Sequence, residues 1–314
     1  AYNEVAKGGS GGGMELRSTA KDQRSMATRT AKRPWLLTFG LALTALISTP
    51  AVADDGKLLA AAGLSSIDGA AGGGLVPWAV IAGYGEQGQW DTTGALTYVD
   101  TGDFNLRAGS ISLGWNDRLE LSASRLSLGL DALVAAGAFP DVRLDTDVLA
   151  AKLRLGGDLI YGDWPQISAG VQWRHSRDRD LIESVGADDS SGYDVYLAAS
   201  RLWIAGIGGR RTLANLTLRS TSAHQLGLLG FDDDRSLVLE GSFAVFLTPT
   251  IALGAEYRSK PDELALAPED DWYDLFVGWF PNKRWHAALA YVDLGSVGGI
   301  QDQQGFYLTV KGSP

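Results

Sequence analysis

The stretch Gln166-Ile167-Ser168-Ala169-Gly170-Val171-Gln172-Trp173-Arg174-His175-Ser176 decides how this chain is read. Ile167, Ala169, Val171 and Trp173 alternate with Ser168, Gly170, Gln172 and Arg174. A strand throws successive side chains to opposite faces, so this segment has one apolar and one polar surface. The two-faced pattern returns every ten to fifteen residues from about position 56, each time ended by a turn. Repeated over a whole chain, it describes an antiparallel barrel with lipid outside and polar groups within.

The N-terminal region reads as export machinery. Arg29, Lys32 and Arg33 precede the apolar run Trp35–Ile47, and Ala51-Val52-Ala53 is an A-x-A cleavage site. Residues 26–53 are therefore expected to be a cleaved signal peptide. Residues 1–25 are taken as a non-native or over-long start, and 54–314 as one barrel domain. Residues 1–53 hold seven Lys/Arg and three Asp/Glu of the chain's 27 and 37, which leaves 20 against 34 and a net charge of −14. That charge excludes nucleic acid as a partner. The absence of cysteine excludes a disulfide scaffold and a thiolate-bound metal.

Two-residue periodicity predicts strands at 57–68, 75–84, 89–99, 104–115, 118–128, 144–155, 166–176, 193–205, 211–221, 237–247, 251–259, 271–280, 284–292 and 304–311. The count is about fourteen, an all-β, up-and-down transmembrane barrel, with twelve as the alternative if the Gly/Ala-rich first segment folds inward and one further strand is miscounted. The segment 57–68 is included because an even number places both termini in the periplasm. Short connections such as Asn116-Asp117 alternate with longer polar ones, as periplasmic turns alternate with extracellular loops. Trp90, Trp115, Tyr161, Trp164, Trp203, Trp279, Phe280 and Trp285 sit beside the short turns, where a girdle at the headgroup level is expected. Nothing in the sequence points to a separate periplasmic domain or a sizeable plug.

With the apolar face turned outward, Glu120, Lys152, Arg154, Gln172, Arg174, Asp194, Arg219, Glu240, Glu256, Arg258 and Asp274 fall on the lumen side. Two readings stay open. The charges line a water-filled constriction of a passive, porin-like channel for small solutes, or they pair and close a structural or surface-interaction barrel with acidic loops. Full pairing would favour closure. The acidic stretches Asp188-Asp189, Asp232-Asp233-Asp234 and Glu269-Asp270-Asp271 read as solvated loop charge, without the spacing of a calcium loop. A barrel lipid hydrolase is the third reading. It needs His and Ser on one wall, whereas His175 and Ser176 are adjacent and point apart. No catalytic residue, metal ligand or cofactor site is assigned. The expected partners are outer-membrane lipid and lipopolysaccharide, with small solutes as cargo.

The segments 56–85, 226–231, 254–262, 270–284 and 290–295 resemble blocks of a Gram-negative domain-of-unknown-function family numbered thirty thirty-four. The resemblance implies an exported outer-membrane protein. It brings no activity and no functional residues.

Overall fold

The computed structural model describes residues 56–135, 137, 143–184, 187–261 and 269–314. The segments expected to be a signal peptide (26–53) and an extension before it (1–25) lie outside the described residues.

Twelve strands close into an antiparallel barrel. In chain order they are β3 (Trp90–Asp100), β4 (Asn105–Trp115), β5 (Leu119–Gly129), β6 (Arg143–Gly156), β7 (Gln166–Ser176) and β8 (Ser191–Trp203). They continue with β9 (Thr212–Ala223), β10 (Phe231–Phe246), β11 (Ile251–Arg258), β12 (Trp272–Trp279), β13 (Trp285–Asp293) and β14 (Gln304–Gly312). Each pairs with its sequence neighbour, and β14 closes on β3 from Phe306 opposite Asp100 to Gly312 opposite Gly94. The count is the lower of the two expected. Every expected strand from 89 onward is present within about two residues of its expected ends, except β10, which begins at Phe231 rather than 237 and carries a register shift before Ser236.

The segments expected as strands at 57–68 and 75–84 are not in the wall. They run inside the barrel, where they form only a two-residue pair between β1 (Leu64–Ser65) and β2 (Ala71–Gly72). The expectation of no sizeable plug is thus overturned, and 85–88 links this inner segment to β3 rather than turning between wall strands. Parity could not reveal this, because removing two strands from fourteen leaves an even number.

Local chemistry accounts for the hairpins. Asn116 and Asp117 both take positive φ, 59° and 47°, which is the type I′ geometry that matches the twist of β4 and β5. In the longer turn after β6, Asp158 accepts from the Ile160 and Tyr161 amides, both at 2.8 Å. Burial alone would raise its carboxyl. The two amides and Arg154 outweigh that and hold it below the ordinary carboxylate range.

The outer wall carries Leu96, Ile111, Leu121, Leu149, Val171, Leu197, Leu216, Leu239, Leu253, Val277, Leu289 and Leu308, all exposed. Such a surface is stable only against hydrocarbon, and a closed sheet is a form whose backbone can cross it. The protein is an outer-membrane barrel. Among the described residues no helix is long and apolar enough to span a membrane; α1 (Asp131–Ala135) and α2 (Arg179–Ser184) are single turns in loops.

Trp90, Trp115, Tyr161, Trp164, Trp203, Trp279 and Trp285 are exposed near the short-turn end, as expected for a girdle. Phe280 is a correction. It is 3% exposed, because alternation after outward Trp279 turns it inward, where it packs on Phe246 and His286 with ring centroids 5.9 and 5.0 Å away. At the opposite strand ends a second aromatic belt appears, made of Tyr98, Trp173, Tyr193, Tyr273, Tyr291 and Phe306, with the Tyr257 ring tilted against Tyr273 at 5.1 Å.

Val171 lies at the middle of β7 on the lipid face. Val171→Arg should destabilise the barrel by about 2–4 kcal/mol, the cost of a guanidinium at mid-bilayer. Reversible denaturant titration in lipid vesicles would measure it.

Candidate functional site: a filled, charged lumen

The inner segment 57–84 has little regular hydrogen bonding of its own, yet its peptide groups lie among wall side chains. Buried backbone polar groups need partners, and here the wall supplies them. Glu120 on β5 accepts from the amides of Ala71 at 3.0 Å and Ala82 at 2.7 Å. Its neighbour across the strand pair, Lys152, stands 3.1 Å from it and donates to the carbonyls of Ala71 and Trp78. Glu256 accepts from the amides of Gly74 and Leu75 at 2.6 and 2.7 Å. It also accepts from Ser242, which in turn accepts from the Trp78 indole. Lys311 donates to three successive carbonyls, those of Ala62, Gly63 and Leu64. Near the short-turn end, Tyr84 is hydrogen-bonded to His286 at 2.8 Å.

Closer to the loop end lies an ionic cluster. Arg174 reaches Asp68 and Asp194, each at 3.1 Å. Arg219 reaches Glu240 at 2.6 Å and Asp194 at 3.2 Å. Arg258 reaches Glu240 at 3.3 Å and Asp68 at 3.6 Å. Gln172 accepts from Arg174 and Arg219 at 2.7 and 2.5 Å. Three guanidiniums thus face three carboxylates, and one of those carboxylates, Asp68, belongs to the inner segment. Above the cluster the loop 224–230 folds inward, with the Leu226 carbonyl accepting from Arg174 at 2.9 Å and Leu226, Leu228 and Leu229 buried.

Small residues are required where the segment meets the wall. A Cβ added at Gly73 would lie 1.8 Å from a Glu256 carboxylate oxygen, and one at Gly74 would lie 1.9 Å from the Tyr307 hydroxyl. The small inward wall positions have the complementary role: Tyr196 lies over Gly170, and Phe276 over Gly254.

The structure brings together most of the residues expected in the lumen. Gln172, Arg174, Arg219, Glu240 and Arg258 form the cluster, with Asp194. Glu120 and Lys152 form a pair, and Glu256 stands beside Asp274, whose carboxylate accepts from the Glu256 amide at 3.1 Å. All ten of these are buried. Arg154 stands apart. It is half-buried at the short-turn mouth, bonded to Asp117 and 3.5 Å from Asp158. There it borders a cavity of about 280 Å³ shared with Lys57, Leu58, Ile81 and Asp117. Sequence reasoning missed Asp68, Lys311, His286 and the Gly72–Gly74 backbone. The signal for Lys311 was present, since it continues the inward series Tyr307, Thr309, Lys311.

The histidines take different environments. His175 stacks on Trp173 on the outer wall while Ser176 is buried inside. His286 holds Tyr84 and approaches the Gly63 carbonyl at 3.2 Å. Among the described residues, no group of three or more His, Cys, Asp or Glu is placed to hold a metal ion.

A family model described as "Protein of unknown function (DUF3034)" matches residues 61–311, and the chain belongs to that family. No curated protein matches it. Among solved structures it is similar to the KdgM porin, with 11% identity over 71% of this chain and 99% of that one and a TM-score of 0.45. It is similar to the NanC porin at 12% identity, over 70% of this chain and 97% of that one, with a TM-score of 0.43. The Acinetobacter baumannii outer membrane protein Omp33 gives 12% identity, 73% and 99% coverage and a TM-score of 0.40.

Removing one partner of a buried ion pair strands the other, which costs about 3–5 kcal/mol. Asp68→Asn should therefore loosen the inner segment by an amount of that order while the wall stays closed. Amide exchange at Ala71, Gly74, Leu75 and Ala82 should quicken, with wall amides such as Leu289 unchanged. Gly74→Ala should act in the same direction through overpacking, at about 1–3 kcal/mol.

Proposed function

We propose that this member of the DUF3034 family is a porin-like outer-membrane channel for small solutes that rests closed, with residues 57–84 as its gate. One observation carries the reading. The inner segment contributes no strand to the wall, and β14 pairs directly with β3. The segment can therefore leave by giving up side-chain contacts alone, with every backbone hydrogen bond between wall strands kept. A segment that were itself a wall strand could not.

What it would uncover is a polar path. Arg174, Arg219 and Arg258 would face Asp194 and Glu240 near the loop end, with Glu120, Lys152, Lys311, Glu256 and Asp274 along the rest of the lumen. Departure of Asp68 leaves three guanidiniums against two carboxylates, which favours anions at that constriction. Arg154 and Asp158 would form the mouth on the short-turn side. No bond-making step is assigned to any of these groups. The second reading, a permanently closed structural barrel, draws on the complete pairing of the same cluster and makes the opposite prediction for conductance.

The exported chain in a planar bilayer should be silent at rest, and a chain lacking 56–84 should conduct in steady, anion-preferring steps. A second variant keeps the gate attached. Ser65 and Ser110 are hydrogen-bonded through their hydroxyls at 3.2 Å, so Ser65→Cys with Ser110→Cys allows a disulfide between gate and wall. In an Asp68→Asn, Glu256→Gln background, openings should disappear when this disulfide forms and return on reduction. Silence of both the deletion chain and the reduced variant, with folding confirmed by heat-modifiable gel migration, would sink the channel reading and leave the structural barrel.

A further inference from the structure

The outer aromatic belt is interrupted. It runs through Tyr273, Tyr291, Phe306 and Tyr98 on β12, β13, β14 and β3, and resumes with Trp173 and Tyr193 on β7 and β8. Between them, on β4, β5 and β6, the corresponding outward positions carry charge. Arg107 stands directly opposite Tyr98 in the register. Arg125 stands opposite Asp147, and Asp147 opposite His175, the neighbour of Trp173 on that face. Arg143 lies across the outside of β4 and β5, bonded to the Asn105 side chain at 2.8 Å and the Ser127 carbonyl at 2.6 Å. Arg125 and Arg177 grip Asp147 from two sides, each at 2.6 Å.

Charge on the lipid face is costly at mid-bilayer and nearly free at the interface, so the patch marks the headgroup level on this side of the barrel. Below it the wall is apolar again at Ile111, Leu121 and Leu149. An arginine presents several fixed donors that match phosphate oxygens. Arg107 is exposed and has no ion-pair or hydrogen-bond partner among the described residues, and the Arg177 side chain is 48% exposed. Donors are thus still on offer. Nearby carboxylates are engaged: Asp131 accepts from Asn105, and Asp178 from the Asp145 amide.

We propose that Arg107, Arg125, Arg143 and Arg177 form a binding site for the phosphorylated headgroup of an outer-leaflet lipid of the lipopolysaccharide class, with its acyl chains lying on the apolar wall below. The site is on the outer wall and does not depend on the gate in the lumen. A lipid fits better than a second copy of the chain. On the wall strands Arg107, Arg125 and Arg143 stand with Asp145 and Asp147. Asp147 is already held by Arg125 and Arg177, and a two-fold contact centred on the unpaired Arg107 would set it against its own copy.

The test is retention of bisphosphorylated lipid A by the full chain in detergent, read by native mass spectrometry. Removing one charge-assisted donor weakens such binding roughly tenfold, so Arg107→Ser with Arg177→Ser should lower affinity about a hundredfold by the same rule. Arg235→Ser removes an outward arginine that stacks on Tyr193 at 4.5 Å, away from the patch, and should leave retention unchanged. Dephosphorylated lipid A should bind the wild-type chain as weakly as the phosphorylated form binds the double variant. Arg107→Glu alone reverses an unpaired charge without disturbing any pair, and should lower retention even if the double variant folds poorly. Wild-type retention by Arg107→Glu and by the Arg107→Ser, Arg177→Ser double variant would overturn the proposal. So would displacement of the lipid by millimolar inorganic phosphate, or a dimer that vanishes with the arginines.

Discussion

A peptide group at bilayer depth must find a partner, because no water is there to provide one. The wall strands meet that demand by pairing with each other. The inner segment 57–84 cannot, since only Leu64–Ser65 and Ala71–Gly72 pair as strands. Turns within the segment meet some of its amides, such as Ser66 on Ala70 and Gly73 on Val76. Wall side chains meet others: carboxylates of Glu120 and Glu256 take amides, while Lys152, Lys311 and Arg258 take carbonyls. The inward charges of this barrel are therefore shaped as partners for a backbone. Burying them isolated would be prohibitive, and Glu120, Lys152, Arg174, Arg219 and Arg258 are tolerable because the segment and opposite charges supply their partners.

The same constraint explains the composition of the segment. A side chain at Gly73 or Gly74 would occupy the place of Glu256 or Tyr307, so close approach of backbone to wall demands glycine there. It also explains why one acidic residue of the segment, Asp68, sits where it does. The wall offers Arg174, Arg219 and Arg258 against Asp194 and Glu240, and Asp68 is the charge that balances them. Wall and segment are thus complementary in charge as well as in hydrogen bonding, although they share no ladder.

The outside of the barrel obeys a different solvent. There the apolar residues face hydrocarbon, aromatics gather at both edges, and charge is admitted only at the rim. Neither surface constrains the other, since a two-residue period lets each be chosen separately. This separation is why the lumen can hold a buried ionic cluster within a wall whose exterior reads as a plain lipid-facing sheet.

Taken by itself, the sequence determined the barrel, its lipid-facing side, the strands from 89 onward and the inward placement of Arg174, Arg219, Glu240 and Glu256. All of these follow from local alternation, which the chain carries in every strand. It did not determine where 57–84 goes. That segment is apolar, short and broken by glycine, and it alternates well enough to pass for two strands of wall. Only the closed cylinder, with β14 meeting β3, leaves it no edge to join and places it in the lumen. The pairing of Asp68 with residues more than a hundred positions away, and the approach of Lys311 to Ala62, Gly63 and Leu64, likewise depend on closure. Period-two patterning records which way a side chain points, whereas its partner across the lumen is set by how twelve strands wrap around what they enclose.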